Sequence, residues 1–137
     1  MGSKEVNQAL LELENNSRFS IFPSLRFEYF LVLLKHCNFI IGNSSAGVRE
    51  APYYGVHSID IGKRQLNRAK SDSIIHTSNN KKDIAAAIQI VKEKERSDQN
   101  LSFGIGQSDK LFIDLLKSKS LWAIPCQKQF KDRKIKN

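Results

Sequence analysis

The sequence predicts an α/β fold, a Rossmann-like parallel sheet with helices on both faces, and three observations carry that expectation. Strand and helix signals alternate along the chain, the rhythm of right-handed βαβ crossovers. The central strand candidates are short, compact apolar runs, as strands of buried parallel sheets are. Each is followed by a glycine and small or polar residues, at Gly42 and Gly62, where such sheets place their ligand loops.

Taken in order, Val6 to Glu14 puts Val6, Ala9, Leu10 and Leu13 on one helical stripe. Phe19-Ser20-Ile21-Phe22 suits a short strand, ended by Pro23 and Ser24. Phe27 to His36 is a strongly apolar helix, and Asn38 to Gly42 a buried strand. Ala46 to Tyr54 follows as a short helix that Gly55 ends. His57 to Ile61 is the next strand, Gly62 to Asp72 a polar, basic loop, and Ser73 to His76 a further strand. Asn80 is placed to cap a helix from Lys81 to about Lys94, with Ile84, Ala87, Ile88 and Val91 on one face. Ser97 to Gly106 reads as loop, and Ser108 as the cap of a helix from Asp109 to Lys117.

Bulk properties narrow the function classes. A chain of 137 residues, 40% hydrophobic and 26% charged, is sized for one globular core. Its apolar runs are far shorter than the roughly 20 residues of a membrane-spanning helix, so no membrane role is expected. Met1 to Asn7 has no apolar segment of the secretory kind, which makes the cytoplasm the expected location. Cys37 and Cys126 lack metal-ligand spacing, so no metal and no disulfide is expected. The net charge of +8 permits an anionic partner, although much of it sits in the tail at Lys128, Lys131, Arg133, Lys134 and Lys136. That tail has no interleaved aromatics and the chain no nucleic-acid motif, so nucleic acid is not an expected partner.

The chemistry concentrates in Phe39-Ile40-Ile41-Gly42-Asn43-Ser44-Ser45-Ala46-Gly47-Val48-Arg49-Glu50-Ala51-Pro52, a buried strand that turns through small polar residues into a helix. Ser44 and Ser45 supply hydroxyl donors beside the positive end of that helix, an anion site in outline. Glu50 lies about one turn further in, roughly 6 to 8 Å along the axis, a separation matching diphosphate to ribose in a nucleotide. Taken alone, Ser44 is equally a helix cap and Glu50 a solvated acid. His36, His57 and His76 fall at element ends and read as structural.

Gly42 to Pro52, then Tyr54-Gly55, then Ser58-Ile59-Asp60-Ile61-Gly62-Lys63-Arg64-Gln65 with Arg68, resembles the hydrolysing UDP-N-acetylglucosamine 2-epimerase family. The similarity extends upstream through Phe22-Pro23-Ser24-Leu25 and downstream to Gln127-Lys128-Gln129-Phe130. The resemblance implies the carboxyl-terminal half of a GT-B arrangement, with residues 1–124 as a UDP-binding Rossmann-like domain incomplete at its start and 125–137 as a C-terminal helix and basic tail. It implies UDP or UDP-N-acetylglucosamine as the bound partner, with no cofactor. Ser44 and Ser45 resemble the residues on the diphosphate, Glu50 the acid on the ribose, Arg64 and Arg68 arginines that neutralise phosphate, and Phe30 an aromatic near the uracil. In the complete enzyme UDP is eliminated and the resulting glucal hydrated to N-acetylmannosamine, for sialic-acid-like surface sugars. The catalytic acids are expected in an amino-terminal domain with no matching positions here, which leaves open a separate amino-terminal partner, a homo-oligomer or an inactive UDP-sugar-binding module. His57, Asn67 and Ile105 depart from the family's usual proline, glycine and polar residue.

Overall fold

The computed structural model describes residues 3–127, in two compact units, 1–100 and 101–137. The first unit is built on a three-stranded parallel sheet in the order β1-β2-β3. Its elements are α1 (Ser3–Glu14), α2 (Phe27–His36), β1 (Phe39–Gly42), α3 (Ala46–Tyr53), β2 (His57–Ile61), β3 (Ile74–Thr77) and α4 (Lys81–Lys92). The second unit contributes α5 (Ser108–Lys117) and the short α6 (Lys119–Trp122). Of the expected C-terminal helix and basic tail over 125–137, everything from 128 on lies outside the described residues.

Helices cover both faces of the sheet, as the alternating pattern predicts. Successive residues of a strand point to opposite faces, so Phe39 and Ile40 serve different helices. Ile40 joins Leu34, Ala51 and Val56 in a core with Phe30, Cys37 and Tyr54, beneath α2 and α3. Phe39, Ile59 and Ile75 form the opposite core with Ala87, Ile88 and Val91 of α4. The central strand β2 is buried from His57 through Asp60. Gly47 of α3 sits so close to β2 that a Cβ there would collide with the Ser58 hydroxyl, which draws the start of α3 tightly onto the sheet.

Asn80 caps α4 as its side chain predicts, accepting from the amides of Lys82 at 2.8 Å and Asp83 at 3.1 Å. Between β2 and β3 the parallel crossover is the loop after Gly62 rather than a helix; a dozen residues are enough to return the chain to the start of a neighbouring parallel strand.

Four expectations need correction. Phe19 to Phe22 is no strand: Phe19, Ile21 and Phe22 are exposed and the segment pairs with no strand of the sheet. A short apolar run becomes a strand only where a neighbouring strand receives its backbone bonds. The last strand runs Ile74–Thr77, one residue later than expected, because Ser73 is spent in a turn in which its hydroxyl meets that of Ser71 at 2.8 Å. The cap of α5 is Gln107 rather than Ser108, which is already helical and leaves the cap without a side-chain bond. Helix α4 ends at Lys92, with Glu93 as its C-cap.

Candidate functional site

In a parallel sheet the loops leaving the strands gather at one edge, and here those are the segments after Gly42 and after Gly62. Both glycines take positive φ, 151° at Gly42 and 84° at Gly62, so the chain turns off each strand in a conformation side chains disfavour.

The turn into α3 is tight. Ser44 Oγ accepts from the Ala46 amide at 3.3 Å, and the Ser44 carbonyl accepts from Gly47 at 3.1 Å. The Ser45 carbonyl accepts from Val48 at 3.1 Å and Arg49 at 2.9 Å. The amides of Ala46, Gly47 and Val48 are thus engaged within the turn, whereas the sequence suggested free amides facing the cleft. The hydroxyls are the polar groups left at the mouth. Ser45, the N-cap residue, makes no side-chain cap bond, and Ser44 uses its oxygen only as acceptor, so its proton remains to be donated.

Glu50 follows on α3, half buried, and its Oε2 is buried with no hydrogen-bond partner among the described residues. A carboxylate oxygen out of water without a donor is costly, and such an atom marks either strain or an unmet ligand. Two hydroxyls of a sugar would meet that need.

The second loop carries Lys63, Arg64 and Arg68, all exposed. Arg68 Nη1 donates to Gln65 Oε1 at 2.9 Å, and Gln65 Nε2 donates to the Asn43 carbonyl at 2.9 Å. This joins the two loops. Asn67 sits at φ 62°, a left-handed conformation that asparagine tolerates better than most residues, so glycine is not required there. Phe30 packs onto the Leu34, Ala51 and Val56 core and stacks on Phe27, ring centroids 6.3 Å apart. Because α2 feeds β1 from the far end, its first turns lie towards the same edge of the sheet as the loops.

The histidines are structural where the geometry speaks. His57 Nε2 donates to the Glu95 carbonyl at 2.7 Å. His76 Nδ1 lies 2.8 Å from Oδ2 of the buried Asp60. Among the described residues no three His, Cys, Asp or Glu side chains cluster as metal ligands, and no helix is long and apolar enough to cross a membrane.

Clefts near the sheet do not outrank this edge. The space enclosed by Gly42, Ser44, Gly47 and Ser58 is about 20 Å³, room for a water, so an anion would rest on the hydroxyls rather than beneath them. Larger hollows of about 620 and 410 Å³ lie towards the amino ends of the strands, bordered by Ser73 and by Phe39 and His57. Both reach Arg96, whose guanidinium is occupied by the carbonyls of Lys35 at 2.7 Å, Cys37 at 2.8 Å and Tyr54 at 3.3 Å.

Sequence reasoning missed Gln65 and the Asp60–His76 pair. Gln65 stands in the motif, but nothing local says that its amide reaches a loop 22 residues away.

The sheet, the two converging loops and the serine turn define a Rossmann-like α/β domain with a candidate anion site at the carboxyl ends of its strands. The chain belongs to the UDP-N-acetylglucosamine 2-epimerase family, whose sequence profile matches residues 2–117. It is 45% identical over 134 residues to a UDP-N-acetylglucosamine 2-epimerase of Neisseria meningitidis serogroup B, covering 96% of this chain and 35% of that protein. It is 33% identical over 82 residues to a GDP/UDP-N,N'-diacetylbacillosamine 2-epimerase (hydrolyzing) of Campylobacter jejuni, covering 60% of this chain and 21% of that protein. A polysialic acid biosynthesis protein P7 of Escherichia coli is 31% identical over 94 residues, 69% of this chain and 24% of that protein. The chain therefore spans about a third or less of the length of these relatives.

Proposed function

We propose that this chain is the UDP-holding portion of a hydrolysing UDP-N-acetylglucosamine 2-epimerase, the carboxyl-terminal half of a GT-B arrangement working in the cytoplasm. The hydroxyls of Ser44 and Ser45 donate to the diphosphate, Glu50 accepts the ribose hydroxyls, and Arg64 and Arg68 offset phosphate charge. All these groups lie within residues 1–100. Phe30 flanks the uracil from α2. The observation that carries the reading is the buried, unpartnered Oε2 of Glu50, one helical turn inside a helix that begins at two serines.

The full reaction removes UDP from UDP-N-acetylglucosamine by anti elimination: the proton at the sugar's second carbon and the diphosphate leave, and a 2-acetamidoglucal forms. Water then adds to give N-acetylmannosamine, for sialic-acid-like surface sugars. The part assigned to this chain is the leaving group. As the glycosidic C–O bond breaks, negative charge grows on the β-phosphate, and fixed hydroxyl donors with two guanidinium groups stabilise it where it grows. The base at the second carbon belongs to the rest of the enzyme, on the amino-terminal side.

Calorimetric titration with UDP tests the assignment. Ser45→Ala and Glu50→Ala are each expected to weaken binding by about 1 to 3 kcal/mol, the scale of a charge-assisted hydrogen bond. Unchanged affinity in both variants overturns it. UDP binding without release of UDP from the sugar nucleotide marks the chain as a binding portion alone.

A further inference from the structure

Gln65 is 1% exposed, a neutral amide in a loop whose other polar side chains face water. A buried amide needs partners at both ends, because its N–H groups and its carbonyl each lose a water on burial. Gln65 finds them in two different places. Its Nε2 donates to the Asn43 carbonyl at 2.9 Å, in the turn between β1 and α3, and its Oε1 accepts from Arg68 Nη1 at 2.9 Å. One side chain therefore couples the backbone that leads into Ser44 and Ser45 to the guanidinium of the next loop.

Only a primary amide does both. A carboxylate would accept more strongly from Arg68 but could not donate to the Asn43 carbonyl, and it would cancel the positive charge an anion needs. A leucine of similar size would fill the space and hold neither loop. Fixing one N–H of Arg68 also fixes the plane of its guanidinium, and the remaining donors keep a defined direction.

We propose that Gln65 is a positioning residue for a nucleoside diphosphate: it sets the Asn43–Ser44 turn and aims the Arg68 guanidinium at the same phosphates. The inference rests on the reading of Ser44 and Ser45 as the phosphate site. It assigns to Gln65 no contact with the ligand; Gln65 acts through Asn43 and Arg68.

The test is a double-mutant cycle on UDP affinity in the full chain, by calorimetry, with wild type, Gln65→Leu, Arg68→Ala and the double variant, and Gln65→Glu as a variant that keeps the shape. Gln65→Leu is expected to weaken UDP binding about tenfold, and Arg68→Ala several-fold. The double variant should lose clearly less than the product of the two, because each removes part of the same device. Gln65→Glu should lose at least tenfold while its thermal midpoint shows it folded, an effect a packing role alone would not produce. Unchanged UDP affinity in Gln65→Glu, or strictly multiplicative losses in the cycle, overturns the proposal. If Ser45→Ala and Glu50→Ala weaken UDP while the Gln65 variants do not, only this inference fails. If the wild-type chain binds no UDP, the phosphate-site reading and this inference both fall.

Discussion

His76 Nδ1 lies 2.8 Å from Asp60 Oδ2, across neighbouring strands at paired register, and the Asp60 carboxylate is 1% exposed. Its other oxygen has no partner among the described residues, so the imidazole is the one printed bond that compensates a buried charge at the end of the central strand.

Removing that imidazole should therefore cost more than an exposed histidine normally would. His76→Ala is expected to lower unfolding stability by about 1 to 3 kcal/mol, the cost of stranding a buried polar group. Urea unfolding followed by circular dichroism measures it. A change within about 0.5 kcal/mol, the range of ordinary surface substitutions, would contradict the assignment.

Gly47 carries a second packing prediction. A Cβ at this position would overlap the Ser58 hydroxyl but lie 3.6 Å from the Ser58 Cβ, an ordinary contact. Gly47→Ala should destabilise by about 1 to 3 kcal/mol through overpacking, and Ser58→Ala in the same chain should recover most of that loss. Additive losses in the double variant would show that the clash is not with the hydroxyl.

Burial pushes the Cys37 thiol above its ordinary value of 9.0, with the Arg96 guanidinium pulling the other way. Below that value the thiol is protonated in both states and adds no slope. Above it the unfolded chain gives up the proton while the folded chain keeps it, so stability falls as pH rises until the raised folded value is passed. The slope cannot exceed about 1.4 kcal/mol per pH unit for one proton. Cys37→Ala should show a shallower alkaline fall in the urea midpoint than wild type; parallel profiles would refute it.

Much of the first unit is legible from sequence because its signals are local. The continuous apolar runs of β1 and β2, the stripe of α4 and the side chain of Asn80 each determine structure within a few residues. Phe19 to Phe22 misleads because strand formation depends on a partner that the run itself does not name. Helix α6 is only four residues long and has no periodicity to detect. Asn67 departs from the family's glycine and yet holds φ 62°, since asparagine can occupy that region. In the site, Ser44, Ser45 and Glu50 could be picked out from spacing and resemblance. Gln65 and the Asp60–His76 pair could not, because their partners lie 22 and 16 residues away and are set only by the fold.

The assignment of Glu50 to a ribose is tested most directly by comparing UDP with its 2′,3′-dideoxy analogue, by calorimetry, on wild type and Glu50→Ala. The wild-type chain is expected to prefer UDP by about tenfold, or about 1.4 kcal/mol for its ribose hydroxyls, and Glu50→Ala to bind the two nucleotides alike. A wild-type chain that does not distinguish them, or a Glu50→Ala variant that keeps the full preference, would contradict the account.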